Sequence, residues 1–282
     1  MKAAKINYHR ANTLEDAITL ATRLGGTSKY MAGGQSLLPM MNLRLTLSEA
    51  VIDISAIAAL RESNAVDGKL FIGAGVTHAM IEDGKVADPA RGYLRQVAGG
   101  IAYRSIRNKG TLGGSLAHAD PSADWPAAML ALGGIAVIRG ADGVRNVPLA
   151  DFQLGLMETC LAETDILQGV LLPRLSAGAR WSYLKFCHKV GEFAHSIGAV
   201  VLDPGLGLAN AVLGAAGSKP VALPSVSSRL AAGMRLNDLS GNEFSALVDR
   251  DLAEVTGHER SSYEFHLHKT IITRAVTEAL EK

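Results

Sequence analysis

The sequence predicts an α+β protein in two parts, and three observations carry that prediction. Segments with helical spacing alternate with short runs rich in Val, Ile and Phe through the first part. Two glycine-rich turns, each with hydroxyl residues, interrupt that part. Near residue 177 the texture changes, and strand-like runs are followed by two long amphipathic stretches. With 282 residues, 48% of them apolar, the chain is long enough to bury a sizeable core.

Thr13-Leu14-Glu15-Asp16 has the form of a helix start, and Leu14, Ala17, Ile18, Ala21 and Leu24 keep helical spacing until Gly25-Gly26 stops the run. Lys29–Ala32 reads as a short strand running into Gly33-Gly34, after which Ser36 is placed to cap a brief helix through Leu43. Val51–Ile54 and Leu70–Ala74 read as strands. Thr77 is placed to cap a helix to about Val86, before Pro89, and a second helix is expected over Gly92–Val97. Ile135–Arg139 and Val144–Val147 flank Gly140-Ala141-Asp142-Gly143, the pattern of a β-hairpin. Ile166–Leu172 is a further strand ended by Pro173.

Beyond Ala177, Trp181–Phe186 and Ala199–Leu202 suggest strands, and Glu243–Val255 and Ser262–Leu280 suggest helices. The expected division is 1–176, itself split at about 57 and 58, and 177–282, with the join at Pro173–Gly178. A Pro/Ser/Gly stretch of that length also fits an internal loop.

Charge and composition narrow the function. Lys and Arg number 28 against 27 Asp and Glu, so nothing favours a nucleic-acid partner. The N-terminus lacks a signal-peptide apolar stretch and no run approaches the ~18 apolar residues of a membrane span, which reads as a cytoplasmic protein. Two cysteines, Cys160 and Cys187, cannot supply the thiolates of an iron–sulfur cluster or a Cys-only zinc site.

The informative feature is a pair of turns, Ala32-Gly33-Gly34-Gln35-Ser36 and Thr111-Leu112-Gly113-Gly114-Ser115. Glycine lets backbone N–H groups approach an oxyanion without a Cβ in the way, and a hydroxyl adds a donor. A single Gly-Gly pair is usually only a turn; two elaborated copies suit a diphosphate. Neither turn is a Gly-x-Gly-x-x-Gly dinucleotide loop, a Gly-x-x-x-x-Gly-Lys-Ser/Thr loop or a Gly-x-Ser-x-Gly elbow.

Ala32-Gly33-Gly34-Gln35-Ser36-Leu37-Leu38-Pro39, Ile106-Arg107-Asn108-Lys109-Gly110-Thr111-Leu112-Gly113-Gly114 and His118-x-x-Pro121-x-x-Asp124 together resemble the medium, FAD-binding subunit of the xanthine oxidase and carbon monoxide dehydrogenase family, that is, the molybdenum hydroxylases. The resemblance is strong to about residue 172 and looser beyond. Many relatives carry Tyr-Arg-Arg before the closing helix, where this chain has Tyr263-Glu264-Phe265. The resemblance implies an α+β fold: a two-subdomain FAD-binding domain of the vanillyl-alcohol-oxidase-like type, then a smaller C-terminal α+β domain.

It also implies roles. Ala32, Gly33, Gly34, Gln35, Ser36 and Leu37, with Thr111, Gly113, Gly114 and Ser115, would cradle the FAD diphosphate. Asp124 would accept from a sugar or ribityl hydroxyl, the alternative being a helix N-cap. Lys185 would lie at the carbonyl edge of the isoalloxazine, the alternative being a solvated strand lysine. Ile101, Ala102 and Phe193 would cover the ring faces, the alternative being ordinary core. His118 would touch the cofactor or order its turn. His266 and His268, two apart in a helix, lie on different faces and do not form a metal pair.

The resemblance implies no catalytic side chain and no metal in this chain. It implies partners instead: a small subunit with 2Fe–2S clusters and a large subunit with the molybdopterin cofactor, arranged as a dimer of heterotrimers. Two rival readings are a stand-alone FAD-dependent oxidase or reductase and a flavin-free assembly subunit.

Overall fold

The computed structural model describes residues 4–46, 48–257 and 259–282. A three-stranded parallel sheet comes first, built from β1 (Asn7–Arg10), β2 (Ser28–Met31) and β3 (Ala50–Asp53) in the order β1-β3-β2. Helix α1 (Leu14–Leu24) crosses it. The Thr13 hydroxyl accepts from the Asp16 N–H at its start, and Gly25, at φ 63°, ends it. Its buried face of Leu14, Ala17, Ile18 and Ala21 packs with Ile52. The segment after β2 leaves the carboxyl end of the sheet and leads into α2 (Leu37–Asn42).

A five-stranded antiparallel sheet follows, ordered β4-β5-β10-β6-β7. Its strands are β4 (Ser63–Val66), β5 (Lys69–Gly73), β6 (Ile135–Gly140), β7 (Gly143–Pro148) and β10 (Ile166–Leu172). The expected hairpin is β6–β7, turning at Gly143 with φ 125°. Between β5 and β6 run α3 (His78–Glu82), α4 (Tyr93–Gly99), α5 (Arg104–Arg107), α6 (Leu112–His118) and α7 (Asp124–Ala131). Helix α8 (Leu149–Phe152) and the small ribbon β8 (Gln153–Gly155) with β9 (Glu158–Thr159) precede β10. Helix α3 stops well short of Val86, because Gly84 turns left-handed at φ 68°.

The last sheet is antiparallel: β11 (Arg180–Phe186), β12 (Ser196–Asp203), β13 (Leu208–Gly214) and β14 (Val221–Ala222), in chain order. Strand β12 is buried along its whole length, and its period of two decides which core each residue joins. Ile197, Ala199 and Val201 face α7 and share one cluster with Trp125, Met129, Ile72 and Leu94. Val200 and Leu202 face the other way, toward α9 (Pro224–Ala231), α10 (Asn242–Thr256) and α11 (Tyr263–Glu281), where Phe244, Val248, Phe265 and Ile272 close a second cluster. Phe265, in the segment that departs from the family pattern, is thus a core residue.

Helix α7 is buried on every side, which explains its apolar composition without an amphipathic stripe. The join near 173–178 is tied down: Leu175 N–H donates to the Pro89 carbonyl at 2.9 Å, and Ser176 gives both its N–H and its hydroxyl to Asp203 at 2.6 Å. Among the described residues, no helix is long and apolar enough to cross a membrane.

Candidate cofactor site

The two glycine segments meet. A Cβ on Gly33 would run into the Lys109 carbonyl and stand 3.0 Å from Gly110 Cα, and one on Gly114 would lie 3.6 Å from Ala32 Cβ. Gly113 is required for a different contact, because its Cβ would overlap the backbone and Cβ of Ala74 on the turn after β5. Gly34 takes a left-handed φ of 68°, which turns the chain toward α2. Ser36 does not cap α2 with its side chain: its backbone is already helical, with φ −102° and ψ −47°, so the hydroxyl is not aimed back at the helix.

The two segments offer different donors. Among the described residues, the backbone N–H groups of Gly33, Gly34, Gln35 and Ser36 have no acceptor within the chain. Four half-buried donors without partners are the natural complement of an anion. The second segment is not a loop but the first turn of α6. Its N–H groups are spent inside the protein: Leu112 on Val76 O, Gly113 on Ala74 O, Ser115 on Thr111 O and Gly114 on the Thr111 hydroxyl. What it can turn toward a ligand is the O–H of Thr111 and of Ser115. Half-buried His118 is the last residue of α6, and Leu37 the first of α2.

A charged cluster lies beyond α6. The Asp124 carboxylate accepts at Oδ1 from the Tyr183 hydroxyl at 2.8 Å and from Lys185 Nζ at 2.9 Å. Asp124 is therefore not the cap of α7; it belongs to the first helical turn, after Ala123. Lys185 is not a solvated lysine either. Its side chain is 13% exposed, and Nζ also donates to the Gly100 carbonyl at 2.7 Å. Burial pushes the Asp124 carboxyl above the usual carboxylate range, and the Lys185 ammonium and Tyr183 hydroxyl pull it back only in part.

The next two carbonyls are held as well. Arg107 Nη1 donates to Ile101 O at 2.9 Å and to Ala102 O at 3.0 Å, while Nε and Nη2 grip both oxygens of Glu82 at 2.8 and 2.9 Å. Ala102 has φ 41°, a left-handed conformation that costs a non-glycine residue about 1–2 kcal/mol. The hydrogen bonds from Arg107 hold the Glu82 carboxyl below its ordinary value despite some burial. Ile101 and Ala102 are half-buried rather than core. Phe193 is 62% exposed, on the segment whose Gly191 lies against the Tyr103 ring.

Buried His78 ties α3 to the second glycine segment and to α7. Its backbone N–H donates to Gly110 O at 3.0 Å, and its ring Nδ1 accepts from Trp125 Nε1 at 2.9 Å. Burial, with the Arg107 charge nearby, lowers its pKa to about 4, so the imidazole is neutral. His266 is exposed on α11, whereas His268 is buried against the Ser196 hydroxyl at 2.9 Å, which places the two on different faces.

Residue spacing does not single out His78, Glu82, Arg107 or Tyr183. Tyr183 had a usable signal, since it stands two residues before Lys185 on one strand face. Arg107 lies in the Ile106–Gly114 motif, but nothing in its spacing reveals that it reaches Glu82.

Fold and site together define an α+β protein in which two glycine segments meet, one of them with unpartnered N–H groups, and in which Lys185 and Asp124 form a largely buried ion pair. The family described as the FAD binding domain in molybdopterin dehydrogenase matches residues 4–175, and the chain belongs to it. The carbon monoxide dehydrogenase medium chain of Hydrogenophaga pseudoflava is 34% identical over 198 residues, 70% of this chain and 69% of that one. The nicotine 6-hydroxylase medium subunit of Paenarthrobacter nicotinovorans is 31% identical over 283 residues, covering 99% of both. Among solved structures, reconstituted CO dehydrogenase from Oligotropha carboxidovorans superposes with a TM-score of 0.89 at 27% identity, over 100% of this chain and 99% of that one. The cofactor is FAD, and the chain is an oxidoreductase subunit of the molybdenum hydroxylase family.

Proposed function

We propose that this chain is the electron-transfer subunit of a heteromeric molybdenum hydroxylase, receiving electrons from the 2Fe–2S clusters of a small partner and passing them to an external acceptor. A large molybdopterin subunit completes the complex, as a dimer of heterotrimers, and selects the organic substrate. Support comes from the relatives, which are a medium chain and a medium subunit. The observation that carries the reading is the meeting of the two glycine segments, one with four unpartnered N–H groups and the other with two hydroxyls.

FAD, when bound, supplies the redox chemistry, and the chain supplies position and electrostatics. Gly33–Ser36 N–H groups, with the Thr111 and Ser115 hydroxyls, would grip the diphosphate. Gly113, Gly114 and His118 would shape the second wall, and Ala32, Gln35 and Leu37 the first. Asp124 has Oδ1 committed to Tyr183 and Lys185; Oδ2 would accept from a ribityl hydroxyl. Lys185 would set a compensated positive charge at the ring edge, with Ile101, Ala102 and Phe193 against its faces. Residues 1–176 would form the FAD-binding domain, with subdomains 1–57 and 58–176, and 177–282 a second domain.

The test is purification of the chain alone and with its partners. Alone it should bind FAD, show flavin absorption bands and oxidise no organic substrate. Full turnover by the single polypeptide would refute the reading.

A further inference from the structure

Three consecutive carbonyls, of Gly100, Ile101 and Ala102, are each held by a cation: the first by Lys185, the other two by one nitrogen of Arg107. A trans peptide is planar, with its N–H pointing opposite to its C=O. Fixing the Ile101 and Ala102 carbonyls on Arg107 therefore sends the N–H groups of Ala102 and Tyr103 out on the other side. Among the described residues neither N–H has an acceptor, and both residues are at least partly exposed.

We propose that Arg107 is a positioning residue, anchored by Glu82, that aims the Ala102 and Tyr103 N–H groups at the electron-accepting edge of the flavin. This rests on the placement of Ile101 and Ala102 against the ring in the proposed function. The guanidinium suits the task because its rigid fork grips both Glu82 oxygens on one side and has a nitrogen left for two carbonyls on the other. Glu82 is held in turn, since Arg104 Nη1 donates to its Oε2 at 2.7 Å and fixes Asp83 as well. Helix α3 joins the clamp to the diphosphate wall: Glu82 ends it, and His78 at its start holds Gly110. The left-handed Ala102 is then the conformation that turns both donors the same way.

Reduced flavin carries more negative charge than oxidised flavin, so fixed donors aimed at it favour reduction. The test measures the midpoint potential of FAD bound to the full chain by reductive titration against a reference dye. Arg107→Gln should bind oxidised FAD yet lose about tenfold in preference for reduced over oxidised cofactor, which is about 30 mV more negative for a two-electron couple. Arg107→Lys keeps the charge but cannot bridge two carbonyls and a carboxylate, so it should shift similarly. Glu82→Gln, which loosens the anchor, should shift in the same direction and carries the test if Arg107→Gln does not fold.

Hydrogen exchange gives a second reading: FAD should slow the Ala102 and Tyr103 amides in the wild type but not in Arg107→Lys. Wild-type potential in the FAD-bound variants would overturn the proposal, as would a normal potential in Arg107→Lys alone, since charge rather than direction would then be at work. A wild-type chain that binds no FAD would instead refute the proposed function.

Discussion

Gly33 packs directly on the main-chain carbonyl of Lys109, although the two residues are far apart in sequence. The first glycine segment leaves the parallel sheet there, and the second begins as Gly110 and Thr111 enter α6. The absence of a side chain at position 33 is thus what lets the two glycine segments meet.

Gly33→Ala should separate the segments, because the new Cβ meets backbone that has no side chain to move aside. Overpacking of this kind costs about 1–3 kcal/mol. A fluorescence titration should show FAD affinity reduced at least about tenfold, a 1.4 kcal/mol loss, and a urea melt should show the stability cost.

Thr111→Val should remove the hydroxyl that caps the Gly114 N–H and that the proposed function assigns to the diphosphate. Loss of such a cap costs about 1 kcal/mol of stability. FAD affinity should fall by more than Ser115→Ala lowers it, because only Thr111 also orders the helix start. Equal titration curves for the two variants would count against that role.

Lys185→Met should leave the Asp124 carboxylate buried without its cation, and breaking such a pair costs about 3–5 kcal/mol. Burial already raises the Asp124 pKa, and removing Lys185 removes the main opposing influence, so it rises further. A carboxyl raised in the folded state favours folding while protonated, and that advantage is lost as pH rises above the ordinary Asp value. Urea melts from pH 7 downward should therefore show the Lys185→Met deficit shrinking on acidification.

His78 should make the protein acid-sensitive. Its pKa is lowered from 6.5 to about 4, so the unfolded chain takes up a proton that the folded one refuses. Stability is lost as pH falls through that window, by about 3 kcal/mol in all. His78→Leu removes the acceptor of the Trp125 Nε1–H and should be less stable at pH 7. Its curve should be flatter between pH 6.5 and 4, and parallel curves would refute the assignment.

Much of the scaffold was legible because local rules agree with the fold. Thr13 and Gly25 bracket α1, Thr77 caps α3, Gly143 turns the β6–β7 hairpin, and Ser262 starts α11. Strand β1 was not, because its residues are largely exposed at a sheet edge and show no clean alternation. The second glycine segment reads as a loop by composition, yet Gly113 is there to let a helix start against Ala74, a contact between distant residues. For the same reason the site residues inside motifs were legible, while the clamp of Arg107 on Glu82 and the bond of Trp125 to His78 depend on tertiary pairing that no spacing records. Lys185 was visible as a residue, but its burial against Asp124 was not.

The most direct measurement is a crystal structure of the full chain with FAD bound. The two phosphate groups of the single FAD diphosphate should lie between the N–H groups of Gly33–Ser36 and the hydroxyls of Thr111 and Ser115, within hydrogen-bonding distance of both walls. FAD seated elsewhere, or touching one wall while the other stays bare, would contradict the account.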